Sequence, residues 1–348
     1  VQLRFARSSV TFCAPRDKNI FAQAYEYISL ISLGMVANVF YNLFSSYLRA
    51  VGNSRMPLVF LVLSACLNVV LDLILIINFK MGVAGAAWAT NLSQAISAVL
   101  CAVYIYKKVP ALMPEKRHWR FHKGDTRYQL ATGIPMALQF AITSSGTMVM
   151  QSAINLFGSE AVAAYTAAGK IHGLLTQGMV AMGQTMAVYS GQNYGKGDAG
   201  RIRQGVRAAL IIEVIYSVAS AVVVSAALGP SLGLFFSGEV DLAAMMPWAR
   251  TYTTICTLFY VPLCTIFIFR NTMQGCGYGF LPMMGGVVEL AARLIVAVIA
   301  MDIHSYWLAC ACDPAAWVGA GLVTGISYLY IIKKIEKNLG KGMAVHKS

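Results

Sequence analysis

The chain has 348 residues, of which 58% are hydrophobic and 12% charged, and its mean hydropathy is +0.63. Soluble domains are about 45–50% apolar and about 25% charged, so this composition excludes a soluble enzyme, a coiled coil and a disordered chain. The formal net charge of +13 would suggest a nucleic-acid partner in a soluble protein, but in a membrane protein it first reports the sidedness of the loops.

Apolar blocks long enough to cross a bilayer follow one another along the whole sequence. Turns that contain glycine, proline and charged residues separate them. The blocks predict an all-α polytopic membrane protein with about nine transmembrane helices, at about 20–48, 57–79, 84–106, 129–155, 161–189, 205–228, 245–269, 281–301 and 306–332.

Lysine and arginine are unevenly divided between the predicted loops. Seven lie in 107–127, five follow Ile332, and Arg270 is among the others on the same side, whereas the opposite loops contain Lys80 alone. The positive-inside rule places the 107–127 loop and the C-terminus in the cytoplasm, with the chain in the plasma membrane, the inner membrane of a bacterium. The charge then faces lipid headgroups, and no nucleic-acid partner is expected.

The sequence contains an internal repeat. Residues 24–57 recur at 249–282 with an offset of 225, and residues 85–93 recur at 319–327 with an offset of 234. The order of these matches predicts a duplicated bundle. The second copy has three further helices before its matched region, so a complete duplication implies that three more helices precede this chain in a parent of six plus six.

Several runs resemble the multidrug and toxic compound extrusion (MATE) transporters. They are YNLFSSYLRAVGNSRMP, LNVVLDLILI and MGVAGAAWATNLSQA in the first half, and GIPMALQF, NLFGSEAVAAYTAAGKI and YSGQNYGKGDAGRIRQG in the second. The resemblance covers about residues 20–335. It implies a twelve-helix fold of two six-helix bundles around a central cavity, and an exporter of organic, often cationic, drugs in exchange for protons or sodium ions.

The spans, the basic loop and the resemblance together predict five segments. On this division the chain is an N-terminally truncated MATE transporter, expected to be a monomer, and an inactive remnant is one alternative. The segments are a non-matching N-terminal segment (1–19), the three-helix remainder of the N-terminal bundle (20–106), a basic cytoplasmic linker (107–127), a C-terminal six-helix bundle (128–332) and a basic cytoplasmic tail (333–348).

Asp72 is the leading candidate for ion coupling, because an ionisable side chain inside a membrane helix is costly and usually functional. Asn68 lies one turn earlier on the same face. A carboxylate and an amide oxygen can hold a sodium ion, and the carboxylate alone can carry a proton. A polar cluster that only packs helices is the alternative.

The resemblance implies the same site. Asn68, Asp72 and Thr90 match an Asn, an Asp and a Thr of the family's N-terminal cation site, and a further Asp of that site lies on a helix that this chain does not include. Apart from H⁺ or Na⁺ as the coupling ion, we expect no cofactor and no other bound metal.

Polar and charged residues of the second half are candidates for the substrate cavity. Glu289 and Arg293 are four residues apart and can pair within one helix, and both a structural ion pair and a substrate role stay open. At the offset of 225, Arg293 falls where Asn68 lies in the first half. The block 129–155 is polar at every fourth position, and the next block is polar at heptad spacing. The candidates are Gln139, Thr143, Gln151, Lys170, Gln177, Glu289 and Arg293.

Other side chains have two interpretations. Lys170 can reach the membrane surface or balance Glu289 or Asp72 in the cavity. Glu213 is either a cavity acid or a partner for a neighbouring helix. Methionines of the block 161–189 suit a pocket that accepts many shapes; they are Met179, Met182 and Met186.

The predicted function is secondary active multidrug efflux, with small-molecule drugs or toxic organic cations as substrates and membrane lipids around the protein. A lipid-linked oligosaccharide flippase of the same superfamily is the alternative, although its cavity would be expected to contain several arginines. A membrane enzyme would need clustered acid–base or nucleophilic groups. His172 is isolated in the sequence, so no enzyme is predicted.

Overall fold

The computed structural model describes residues 18–113, 122–235 and 242–345. In those residues the chain is helical almost throughout and contains no strand. The helices are α1 (Lys18–Ala50), α2 (Arg55–Asp72), α3 (Gly82–Lys108), α4 (Lys123–Ile154), α5 (Ser159–Gly195), α6 (Ala199–Phe235), α7 (Leu242–Leu258), α8 (Tyr260–Gly275), α9 (Phe280–Asp302), α10 (Tyr306–Cys310) and α11 (Cys312–Val345). A π-helical segment, Leu73–Asn78, continues α2.

Each of the nine apolar blocks is helical in the described residues, and the all-α polytopic prediction is confirmed. Two blocks are interrupted: 245–269 is divided into α7 and α8, which are bent by 51°, and 306–332 into α10 and α11. Within the ranges that the structure describes, six helical segments are long and apolar enough to cross a membrane, and the pair α7–α8 is a seventh candidate. Helices α4 and α5 are as long but more polar.

Helix α6 has the reverse of the pattern of a helix in a soluble protein. Its buried face contains Glu213, Ser217 and Ser220. Its exposed face is aliphatic, with Ile211, Ile212, Val214, Ile215, Val218, Val222 and Val223. An exposed aliphatic face and a buried polar face are expected where the surroundings are lipid and polar groups must find partners inside the protein.

The chain divides into two compact units, Val1–Phe121 and His122–Ser348. In the first unit, α3 packs against α1 and α2. In the second, α9 packs against α4 and α11, and α5 packs against α6, α7 and α8. The division falls inside the predicted linker 107–127, although α3 continues to Lys108 and α4 begins at Lys123.

Two segments expected to lie outside the spans are helical. The predicted tail 333–348 continues α11 to Val345, and Glu336 forms a salt bridge with Arg203 of α6 at 3.0 Å. Arg270, counted above as a loop cation, lies within α8 and is buried. Parts of the predicted N-terminal segment, linker and tail lie outside the described residues, at 1–17, 114–121 and 346–348.

The internal repeat is visible in the backbone. Gly52 and Gly277, 225 positions apart, have φ angles of 86° and 84°, a conformation that glycine adopts without strain. The N–H group of each donates to the carbonyl three residues earlier, at 3.0 and 2.9 Å. Thr90 and Thr324, 234 positions apart, each donate a hydroxyl hydrogen bond to the carbonyl four residues earlier. Residues that are related by either predicted offset therefore adopt equivalent local structures.

Helices α5 and α8 approach so closely that glycine is required between them. A Cβ atom on Gly275 would lie 2.1 Å from the carbonyl oxygen of Ala187, and one on Gly191 would lie 3.0 Å from the carbonyl oxygen of Gly275. Small residues of this kind allow membrane helices to gain van der Waals contact between their backbones.

We expect Gly275→Ala to lower the free energy of unfolding by about 1–3 kcal/mol, because the backbone of α5 cannot rotate away as a side chain can. Gly195→Ala is the matched control, since nothing lies within 4 Å of a Cβ atom there, and its effect should stay below about 0.5 kcal/mol. Unfolding of the purified protein by sodium dodecyl sulfate, followed by circular dichroism, measures both values. Equal stability of the two variants would contradict the close packing.

Candidate cation site and buried charge network

Asp72 lies in the first unit at a change of helix type. It is the last residue of α2 before the π-helical segment Leu73–Asn78. The wider turn is closed by Phe79, whose N–H donates to the carbonyl of Ile74 at 3.1 Å. Such π-helical turns are uncommon and frequent at functional sites. The side chain of Asp72 is half-buried, and its Oδ1 atom is buried without a hydrogen-bond partner.

The structure brings Asn68 and Thr90 together beside this carboxyl group. The Asn68 amide donates from Nδ2 to Thr90 Oγ1 at 3.4 Å, and the Thr90 hydroxyl donates to the carbonyl of Ala86 at 3.0 Å. Asn68 precedes Asp72 by one turn of α2, so α2 and α3 position all three predicted residues. No hydrogen bond joins Asp72 to the other two within the described part of the chain.

The donor set is suited to a hard cation or a proton. Carboxylate, amide and hydroxyl oxygens are the ligands that such cations prefer. The buried Oδ1 atom of Asp72 has lost its hydration without gaining a partner, which is unfavourable unless the group binds a proton or a cation. These three residues therefore fit a coupling-ion site, and they would hold the ion between α2 and α3.

The second unit contains a buried network of four charges. Arg270 of α8 binds Glu289 of α9 directly. Arg293 of α9 lies 3.6 Å from Glu289, measured from Nη1 to Oε2, and its Nε donates to Asp313 Oδ1 of α11 at 2.7 Å. The four residues are 3–8% exposed. Two positive and two negative charges neutralise one another across three helices.

Sequence reasoning found half of this network. It predicted the pair Glu289–Arg293 but not its partners Arg270 and Asp313. Arg270 follows the last residue of a predicted span, 245–269, and was therefore assigned to a loop. A search for charges of opposite sign within the apolar blocks and directly beside them could have found both partners, because a membrane-embedded charge needs one.

The polar positions of α4 do not form one stripe. Gln139 is buried and accepts a hydrogen bond from Gln274 Nε2 at 2.8 Å. The hydroxyl of Thr143 is buried without a partner, whereas Thr147 is exposed. Four residues of an α-helix turn through about 400°, so each step moves about 40° around the axis. Gln151 lies further around and donates to Asn155 Oδ1 at 3.0 Å.

The polar face of α5 is open in the second unit. Lys170, Gln177 and Gln184 are exposed, with Leu174 between them. Glu289 contacts Arg270 and Arg293 instead of Lys170. The methionines of α5 do not lie on this exposed face. Met179 and Met186 are buried in the core and Met182 is half-buried, so they do not form an open pocket.

His172 is not isolated in the structure. Its Nδ1 atom lies 2.9 Å from the hydroxyl oxygen of Tyr260, the first residue of α8, and its ring stacks on Trp317 of α11 with 6° between the planes. Among the described residues, no three His, Cys, Asp or Glu side chains are placed to hold a metal ion. Sequence spacing contains no signal for this aromatic cluster, because its members come from three distant helices.

We expect Arg293→Met to lower the free energy of unfolding by about 3–5 kcal/mol, because Asp313 loses its arginine and stays buried. Adding Asp313→Asn to this variant removes the stranded charge, and should restore part of the loss. Thermal melting in detergent compares the two variants with the unmodified chain. A double variant that is less stable than Arg293→Met would contradict the assignment of a neutralising network.

A model of the MatE family matches two stretches of the chain, residues 9–74 and 135–299. The first stretch begins before residue 20, where the resemblance was expected to start. The two matches end 225 positions apart, which is the offset of the internal repeat.

Curated relatives are longer than this chain. The probable multidrug resistance protein YpnP of Bacillus subtilis is 33% identical over 181 residues, 51% of this chain and 40% of the relative. The probable multidrug resistance protein NorM of Thermotoga maritima is 25% identical over 315 residues, 87% of this chain and 64% of the relative. The chain thus spans less than two thirds of either protein.

Solved structures share the fold. A crystal structure of MATE in complex with MaL6 superimposes with a TM-score of 0.85 at 20% sequence identity, covering 97% of this chain and 75% of that one. At this identity the likeness establishes the architecture of the helices.

Proposed function

We propose, from the premise that this chain belongs to the MatE family of multidrug and toxic compound extrusion transporters, that it exports small organic compounds, often cationic, in exchange for H⁺ or Na⁺. The observation that carries this proposal is the buried, unpartnered Oδ1 atom of Asp72 inside a membrane-spanning helix. A carboxyl oxygen within a membrane span that lacks a partner has an unmet need for a cation, and cation-coupled transport requires such a site.

The names of the relatives support the substrate class. YpnP and NorM are described as probable multidrug resistance proteins. Small-molecule drugs or toxic organic cations are accordingly the substrates we assign, and the open polar face of α5 is our candidate for their contact surface. Lys170 and Gln177 lie on that face, and Leu174 adds apolar area to it.

In the mechanism we assign, the ion and the substrate compete because they favour different conformations of the protein, so that binding of the ion releases the substrate. An ion can drive the change only if it binds one conformation more tightly than the other. Binding at Asp72 neutralises the carboxylate, and the adjacent π-helical segment Leu73–Asn78 offers a turn that can rearrange. Asn68 and Thr90 would contribute oxygen ligands if the ion is sodium. The basic 107–127 loop and the C-terminus face the cytoplasm in this proposal.

The alternative of an oligosaccharide flippase is less well supported. A cavity for an anionic lipid-linked substrate would need arginines free to meet it. Arg270 and Arg293 are buried and paired with Glu289 and Asp313. The two buried arginines of the described second unit are thus engaged in its own neutralisation, which favours the exporter.

We expect Asp72→Asn to abolish coupled efflux, because an amide neither binds a proton at neutral pH nor supplies a negative charge to sodium. The protein is produced in a bacterial strain that lacks its own drug exporters, and accumulation of a fluorescent cationic dye is measured. The variant should accumulate as much dye as cells without the protein.

Asp125→Asn is the matched control, since Asp125 is exposed in the first turn of α4, and it should retain efflux. Immunoblots of membranes verify equal amounts of both variants. Vesicles with an imposed sodium gradient or an imposed pH gradient, each tested alone, then identify the coupling ion. Undiminished efflux by Asp72→Asn would contradict the role assigned to this carboxyl group.

A further inference from the structure

Glu213 is a buried acid that the proposed coupling site does not use. It lies in the second unit, near the middle of the candidate span 199–233 of α6, and is 3% exposed. Its neighbours along the buried face of the helix follow a three- and four-residue spacing: Val206, Ala209, Ser217, Ser220 and Val224. The carboxyl group therefore points into the packed interior and away from the aliphatic face.

No partner neutralises this carboxyl group within the described residues. Its Oε2 atom is buried without a hydrogen bond, and so is the hydroxyl of Ser217 one turn later. Nor does Glu213 take part in any of the four salt bridges of those residues. The buried Oε2 atom of Glu213 therefore has an unmet need for a hydrogen-bond donor or a proton.

In the described residues, no helix packed against α6 forms a salt bridge with Glu213. Helix α8 places Cys264 beside it, and the thiol donates to the carbonyl of Val261 at 3.1 Å. On the side of α5, the hydroxyl of Tyr216 donates to the carbonyl of Leu175 at 2.6 Å. These groups are neutral or already engaged.

The remaining contacts of α6 lie at its two ends. Toward α11, Arg203 and Glu336 pair with each other, ten residues or about 15 Å along the helix before Glu213. Toward α7, Gly229 faces the methyl end of Met246, which is apolar. Neither contact offers a charge to the carboxyl group.

An ionised carboxylate without a partner is strongly unfavourable in such an interior, and the group becomes neutral instead. We propose that Glu213 is a proton-binding site of the second unit, separate from the coupling site at Asp72. A proton is the ligand that fits, because one carboxyl and one hydroxyl oxygen are too few to coordinate a metal cation. Release of the proton requires water to enter the seam between α6 and α8.

Infrared spectroscopy tests this directly, because a protonated carboxyl group absorbs at a higher frequency than a carboxylate. The chain is purified with ¹³C-labelled glutamate, so that glutamate bands shift and the band of Asp72 does not. At neutral pH we expect a protonated glutamate band that disappears in Glu213→Gln. The band should persist in Glu160→Gln, whose side chain is exposed in the first turn of α5, and in Asp72→Asn.

Thermal melting supplies the second measurement. Glutamine has the shape of a protonated glutamate, so Glu213→Gln should melt within about 2 °C of the unmodified chain. Absence of the band from the unmodified chain, its persistence in Glu213→Gln, or a melting point lowered well beyond that margin would each overturn the proposal. These results do not depend on drug efflux, so the exporter and the proton site can fail separately.

Discussion

A charge that lies between membrane-spanning helices must be neutralised there, and four charged residues of the second unit meet this constraint between them. Two arginines and two acids from α8, α9 and α11 form one network, Arg270–Glu289–Arg293–Asp313. Removal of any one member strands a charge in a medium of low dielectric constant, so the three helices are held in one arrangement. The Arg293 side chain also needs a small residue next to it, because a Cβ atom on Gly146 of α4 would lie 2.8 Å from Arg293 Nη1.

In the described first unit, no salt bridge neutralises Asp72. At the offset of 225, Arg293 corresponds to Asn68, and Ala297 corresponds to Asp72. The second copy therefore contains a covalently tethered cation where the first has an amide, and it has no acid at the position of Asp72. A tethered guanidinium cannot exchange with solvent, whereas a proton or sodium ion at Asp72 can. At these corresponding positions, duplication of one bundle has in this way produced a fixed neutral network in one copy and an acid that needs an exchangeable partner in the other.

The positions of the helices could be predicted from the sequence because an apolar block of about 20 residues has few alternatives to a membrane span. Asn68 and Thr90, which the family resemblance alone had grouped, form a hydrogen bond between α2 and α3. Contacts between distant helices could not be derived in this way. Arg270 lies one residue beyond an apolar block, and its burial depends on Glu289 of the next helix. The polar positions of α4 were grouped by sequence spacing, which neglects the drift of a 3.6-residue turn and so placed Gln139 and Thr147 on one face.

The break between α7 and α8 has a cause that can be located in the sequence once the repeat is aligned. Pro262 lies in the first turn of α8 and has no N–H to donate to the carbonyl of Leu258, the last residue of α7. Its counterpart at the offset of 225 is Ala37, and α1 continues through that position without interruption. The break separates α8 from α7, while the charge network joins α8 to α9 and α11. Any movement of α8 therefore involves those two helices, and it changes the packing against α6, where Glu213 is buried.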